Sequence, residues 1–565
     1  MGLRLLKLTF TLAAVTATAH AVTYAPEKGR RGGVIVVAQT SEPKTLNPLK
    51  ADDQPTRDLV SILSADLIHI NRRTLQTEMA LAESCKVSAD GRHYTVWLRK
   101  GLAFSDGVPL TADDVVFTFS AHLDPYVNSS QRDLLLIDGQ PIAVTKLGPL
   151  AVRFDLPAAY APGLRLFDGF WILPKHKLER AYADGRLAQA WSMSSKPEDL
   201  ATAGPFRFKQ YLPGQRVVVD RNPYYWKRDE AGQPLPYLDR LELTFAADQN
   251  AQLLRLMSHE ASIASRLRTD DFAQLSNTPF LSARDAGASL EYNFLFFNWG
   301  ASAPSAAWFR SLKFRQAIAA AIDRDAIVRL VYQGRGSVLA SQVTPGNPLW
   351  QTDRVATYPH DPARGERLLR EDGFSKNADG ALVDRHHQKV EFTLAVSASN
   401  QSRRKMAAMI QEDLGQLGIH VRVQPMEFGT LVDAVLKTRR FDAALWGIAT
   451  ADADPNSDVN VWKTGGTLHV WNMKGTSATE PAFEPWEREI DRLLNVQMKT
   501  TAFADRKAAY DRVQQLVTGN LPVIFLTSPH VLAAADREIG NFEPAALDPV
   551  VLWNADRLYW RTVQP

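Results

Sequence analysis

Between residues 390 and 446 the chain leaves itself few folds to choose from. A strand pattern at 391–396 is followed by a helical pattern at 403–416. A second strand at 419–424, a helix at 430–438 and a third strand at 442–446 complete the stretch. Strands that alternate with helices at this spacing imply a parallel sheet joined by right-handed crossovers. The stretch therefore predicts an α/β lobe with its helices packed on the sheet.

That lobe is a fraction of the molecule. At roughly 150 residues per domain, a chain of 565 residues holds three or four structural units. With 45% hydrophobic residues it has ample core, and beyond its first residues it contains no apolar run of about 18 that would mark a membrane helix. Arg4 and Lys7 precede an apolar run at 8–19, and Ala19-His20-Ala21 offers the small residues a signal peptidase requires. This predicts a secretory leader at 1–21, cleaved after Ala21, and a periplasmic or extracellular protein. Cys85 is the only cysteine, so neither a lipid anchor at the cleavage site nor an internal disulfide is expected. It reads as a small buried side chain. The 65 basic and 62 acidic residues nearly cancel, which argues against a nucleic-acid partner.

Residues 81–119 carry the densest local pattern. Tyr94, Val96 and Leu98 fall on every second position of a strand, Asp90-Gly91 turns the chain, and the run at 85–88 supplies the other arm of a hairpin. After the Phe104-Ser105-Asp106-Gly107 turn, Thr111 stands as an N-cap with Asp113 and Asp114 in the first helical turn, where the helix dipole favours acids. A second hairpin is expected at 206–211 and 216–221, turned by Pro213-Gly214. Further on, Asp323 caps a helix ended by Gly334, and Asp361, Pro362 and Gly373 form a cap, first-turn proline and terminal glycine in the order a helix needs.

The 81–119 segment closely resembles the signature of the family 5 extracellular solute-binding proteins, which deliver ligands to ABC importers. Gly204-Pro205-Phe206 with Arg221-Asn222-Pro223-Tyr224-Tyr225-Trp226 resembles a second family block. The blocks around Ile172-Leu173-Pro174-Lys175-His176, Leu295-Phe296-Phe297-Asn298, Phe314-Arg315-Gln316-Ala317 and Ala321-Ile322-Asp323-Arg324 follow in the family's order. His176 has no acid or nucleophile at matching spacing and reads as structural.

The resemblance implies a type II periplasmic binding protein of the α/β class, with two lobes, a hinge, and an extra subdomain in lobe one in the manner of cluster C. Lobe one would comprise 22–297 and 527–565, with the insert at about 55–195, and lobe two 298–526. The chain would cross between lobes near Asn298 and Leu526, and the lobes would close over the ligand. A short peptide is the expected solute, an oligosaccharide or metal chelate the alternative, and ABC permease subunits the expected partner of a monomer.

Candidate ligand-binding residues follow from the same resemblance. The loop after Leu46-Asn47-Pro48 approaches the ligand in relatives, which nominates Asp52 and Gln54. Asp452-Ala453-Asp454-Pro455 resembles a segment whose first aspartate pairs with a peptide's α-amino group. This nominates Asp452, with Asp454 as rival, since a buried ammonium must be paired. The same loop also fits an ordinary capping loop, and it lacks the glycine and closing glutamate of an EF-hand. Asn298, at the crossover, is nominated with Trp299, Trp446 and Trp462; these rings and Trp471 lie near the crossover or in second-lobe loops, where an aromatic ring serves the core more readily than it stacks on a ligand. Arg403-Arg404-Lys405 reads as a solvated helix start, with contact to a ligand carboxylate or the permease as the alternative, and His386-His387 as an exposed pair. The sequence carries no serine-hydrolase elbow, zinc helix, phosphate loop or dinucleotide turn, so no catalytic residue, cofactor or metal is expected. A secreted hydrolase is the rival from another functional class.

Overall fold

Two β-sheets, joined by two strand-to-strand crossovers, organise the structure, a computed structural model that describes residues 26–302, 304–450, 452–473 and 483–562. The expected leader lies outside the described residues. No helix among the described residues is long and apolar enough to cross a membrane.

The first sheet runs in the order Phe206–Leu212, Arg216–Arg221, Arg240–Phe245, Val34–Gln39, Ile263–Ser265, Thr527–Asp536 and Leu281–Ala288. Val34–Gln39 is parallel to both of its neighbours, and the other pairings are antiparallel. The second sheet runs His420–Met426, Glu391–Ser397, Ala443–Ala449, Glu291–Phe297 and Val523–Phe525. Its first three strands are parallel, as the alternation predicts, and Glu291–Phe297 is antiparallel to both of its neighbours. Tyr292, Phe294, Leu295, Phe296 and Phe297 are all buried, so this strand is covered on both faces.

The crossovers lie where strands change sheets. Leu281–Ala288 belongs to the first sheet and Glu291–Phe297 to the second, which puts the first crossover at Ser289 and Leu290. That is upstream of Asn298, because the whole Leu295-Phe296-Phe297 run pairs within the second sheet. The return occurs at Leu526, between Val523–Phe525 and Thr527–Asp536. Asn293 ties the two crossings together: its backbone oxygen accepts from Leu526 N (2.9 Å) and its side-chain amide donates to the Thr527 carbonyl (3.2 Å).

A separate four-stranded antiparallel sheet, Ala82–Val87, His93–Leu98, Ala151–Asp155 and Ala143–Gly148, carries the helix Ala112–Leu123. Its own apolar core runs from Leu67 to Ala203, with Phe119 against Phe154 (4.9 Å between ring centres) and Phe170 (5.4 Å). Each such buried ring contributes about 1.5–3 kcal/mol. The helix Gln54–Leu63 instead buries Leu59, Ile62 and Leu63 in the first-lobe core, so the insert begins after it.

The signature segment folds as its residues dictate. Thr111 and Asp114 form a reciprocal capping box. The other Asp114 oxygen accepts from Lys175 N (2.9 Å), while His176 Nε2 meets Asp106 Oδ2 at 2.8 Å. The Pro-Lys-His block is thus bolted to the signature turn and helix. Cys85 is half-buried, and burial pushes its thiol up to about 12. Gly204 is required by close approach, since a Cβ there would overlap the backbone of Leu63 and Ser64. Arg315 and Arg324, from the third block, are buried and have no carboxylate within ion-pair distance among the described residues. They donate to the carbonyls of Phe309, Asn520 and Leu521, and of Ala319, Tyr358 and Phe525. Burial lowers both guanidinium groups to about 10.

Candidate functional site

A cleft of about 1370 Å³ lies between the two lobes and the insert. Its walls come from the helix Gln54–Leu63, the insert around Tyr160–Asp168, the crossover Ser289–Glu291, the second-lobe loop around Asp452, and the carboxy-terminal segment near Asp548. Ten carboxylates line it, against five arginine and lysine side chains. Its field therefore favours positively charged groups.

Most of those carboxylates are held by a neighbouring cation. Arg165 Nε donates to Asp452 Oδ2 at 2.9 Å and Nη2 donates to Oδ1, while Nη1 holds the Leu75 carbonyl at 2.6 Å. Arg165 belongs to the insert and Asp452 to the second lobe, so the pair spans the cleft. Burial works against the charge of Arg165, yet the hydrogen bond and charge of Asp452 hold its pKa above the usual arginine value. Nearby, the Tyr160 hydroxyl accepts from the Asn456 amide, and Arg506 Nη1 reaches the Ala161 carbonyl. The insert is thereby fastened to the second lobe along one edge.

Asp454 sits behind Asp452 and is only 3% exposed. Both its oxygens accept from Arg506 Nη2 (3.0 and 2.9 Å), and Oδ1 also caps the short helix Pro455–Asp458 through Asn456 N. Burial raises its pKa against the opposing charge of Arg506. The capping-loop reading thus describes Asp454, while Asp452 is the more exposed of the two on the cleft lining.

The remaining sequence candidates divide cleanly. Asp52 and Gln54 line the cleft, Asp52 exposed and Gln54 half-buried. Asn298, Trp299, Trp446 and Trp462 do not line it. Asn298 is buried and donates to the Phe441 and Arg439 carbonyls (2.9 and 3.1 Å). Trp299 is buried under the Arg315 guanidinium, 4.5 Å from its ring centre. Trp462 packs on Trp471 and Phe525 in the second-lobe core, and Trp446 packs between Phe296 and Phe428. Large aromatic surfaces gain more from the core than a solvated loop offers, which accounts for the three tryptophans, while Asn298 is spent on backbone carbonyls.

Several residues in or behind the cleft escape sequence reasoning. Arg403 is not a solvated helix start: it donates to Glu291 Oε1 (2.7 Å) and Asn293 Oδ1 (2.8 Å) under the crossover. Asp66, His69 and Asp168 bring three ligand-type atoms within 4.8 Å of one another, the one such group among the described residues. Arg72 takes both oxygens of Asp168 (3.0 and 3.1 Å). Although burial opposes it, the charges of Arg72 and His69 hold Asp168 below the ordinary carboxylate range. The positive charge at this cluster is thus already supplied by the protein. Asp58, on the helix Gln54–Leu63, is pushed up to about 7 by burial and by the charge of Asp548. Asp458, behind the crossover, is raised to about 7 by burial. Apart from Asp458, which ends the carboxylate-rich loop that begins at Asp452, no sequence motif marks these residues.

Comparison with known proteins agrees with this architecture. The family model of bacterial extracellular solute-binding proteins, family 5 middle region, matches residues 76–468. A probable ABC transporter-binding protein of Deinococcus radiodurans is 30% identical, covering 94% of this chain and 93% of its own. Among solved structures, the oligopeptide-binding protein AppA of Bacillus subtilis in complex with a nonapeptide aligns at TM-score 0.71 and 25% identity, over 95% of this chain and all (100%) of that one. NikA of Brucella suis in complex with Fe(III)-EDTA aligns at TM-score 0.79 and 21% identity, over 94% and 100%. The fold is that of the type II periplasmic binding proteins, and the chain belongs to the family 5 bacterial extracellular solute-binding proteins.

Proposed function

We propose that this protein captures a short peptide in the cleft between its lobes and hands it to the permease of an ABC importer outside the inner membrane. The observation that carries the reading is the cleft: a large cavity walled by both lobes, with two carboxylates for each arginine or lysine on its lining. A peptide brings an ammonium group to such a surface and many backbone groups to its polar walls. The AppA relative, solved with a nonapeptide, supports the same solute class.

In this reading the solute is bound, carried and released unchanged, and no group on the walls acts as a catalyst. Asp52, Gln54 and Asp452 face the solute. Asp452 acts with Arg165: the two meet across the cleft, and their charge-assisted hydrogen bonds, typically about 1.5–3 kcal/mol, favour closure. An incoming ammonium reaches Asp452 only by displacing that guanidinium.

Native mass spectrometry of the protein purified without denaturation, followed by a thermal-shift screen of di- to hexapeptides, sugars and metal chelates, tests the proposal. A ligand that binds the native state raises the melting temperature by mass action. Peptides are expected to raise it and to be recovered intact. Stabilisation by sugars or chelates alone would overturn the solute class, and peptide turnover abolished by loss of one carboxylate would overturn the carrier role.

A further inference from the structure

Tracing each acid on the cleft wall to its partner singles out one. Asp452, Asp454, Asp168, Glu291, Asp548 and Asp556 each have an arginine or lysine nitrogen within ion-pair distance. Asp66 faces His69 and accepts from Gly169 N. Asp52 and Glu78 are exposed to solvent.

Asp58 is different. Its Oδ1 accepts from the Gln54 side-chain amide at 2.6 Å and its Oδ2 from the Gln39 amide at 3.4 Å, both neutral donors. Among the described residues it has no ion-pair partner. The two arginines nearest in the field are committed elsewhere: Arg57 holds the Asp52 carbonyl and the Gln54 side-chain oxygen, and Arg266 holds Asp548. Gln54 therefore sits between Arg57 and Asp58 as a fixed relay, its oxygen on one and its amide on the other. A half-buried carboxylate aimed by two amides, with no cation of its own, is costly to ionise in place. Its raised pKa of about 7 agrees with that cost.

We infer that Asp58 is the residue that receives a cationic group of the solute, an ammonium such as a peptide amino terminus or lysine side chain, with Gln54 as its positioning residue. The inference deepens the solute-capture reading and rests on it. It moves the ammonium anchor from the second-lobe loop, where Arg165 already satisfies Asp452, to the first helix of lobe one. The incoming charge replaces the missing partner, and Asp58 gives up to water any proton it carries.

The test titrates trialanine, N-acetyl-trialanine and trilysine into the wild type, Asp58→Asn and Asp58→Glu by calorimetry, with the melting temperature of each solute-free protein as the folding control. Asp58→Asn is expected to weaken the ammonium-bearing probes about tenfold or more and leave the acetylated probe unchanged, with Asp58→Glu recovering part of the loss. Equal binding of trialanine and trilysine by wild type and Asp58→Asn would overturn the inference while the peptide reading stands. Should no peptide bind the wild type, the same variants are titrated with agmatine and lysinamide. Binding of these lost in Asp58→Asn would support Asp58 and refute the peptide, and no binding by any ammonium probe would overturn both. If Asp58→Asn melts non-cooperatively, Gln54→Ala, which leaves the charge but removes its aim, is expected to weaken trialanine selectively; no change would overturn the inference.

Discussion

Asp452 and Asp454 on the second-lobe wall each face an arginine, whereas Asp58 on the first-lobe helix faces only two glutamine amides. The same side chain serves different ends on the two walls. Where a guanidinium from the protein completes the carboxylate, the pair builds and closes the structure. Where the protein supplies neutral donors alone, the charge stays available to something that arrives from outside. Sequence resemblance points to the first wall because the Asp-Ala-Asp-Pro motif is there; the pairing of charges points to the second.

The sharpest way to break this comparison is to remove an internal partner. Arg506→Ala leaves Asp454 buried and uncompensated, and such losses cost about 3–5 kcal/mol. Denaturant unfolding followed by circular dichroism is expected to show that drop. A change near zero would mean that the pair is not structural. Arg165→Ala removes a partner at a less buried site, where Asp452 keeps 25% of its side-chain surface exposed. Here we expect about 1.5–3 kcal/mol to be lost from closure and not from the fold. Inter-lobe distances from spin labels should widen while the unfolding midpoint stays nearly unchanged.

Acid dependence sharpens the contrast further. The native pKa values of Asp58 and Asp458 both lie near 7, above the unfolded value of about 3.9. The native state therefore holds more protons than the unfolded chain between pH 4 and 7, and the stability these two groups contribute is present at low pH and lost as pH rises to 7. Each contributes a slope of up to about 1.4 kcal/mol per pH unit. Asp458→Asn should flatten that decline in chemical denaturation at pH 5, 6, 7 and 8, and an unaltered slope would show that Asp458 ionises normally. The smallest effect is expected at Trp446: Trp446→Ala should leave solute affinity within about twofold, the range of substitutions away from a site. A tenfold loss in calorimetry would place that ring at the ligand.

Much of the fold is legible because it is periodic. The strands Glu391–Ser397, His420–Met426 and Ala443–Ala449 and the helix Gln401–Gln416 fall within a few residues of the positions their alternation predicts. The caps at Thr111, Asp323 and Asp361 sit where the local chemistry requires them. The site is less legible because its geometry joins distant segments. Arg165 meets Asp452 across 287 positions, and nothing near either residue announces the other. The tryptophans mislead for a related reason: an aromatic ring near a crossover serves a core as readily as a ligand, and only packing decides between them. Asp58 lies on an amphipathic helix as one polar residue among several, distinguished by what fails to pair with it.

Hydrogen exchange measured with and without the most stabilising peptide tests the central claim most directly. Capture between the lobes predicts slowed exchange in Gln54–Leu63 and in 452–460 together, since the two walls belong to different lobes and a shared solute protects both. Protection confined to one lobe, or none in either wall under saturating peptide, would contradict it.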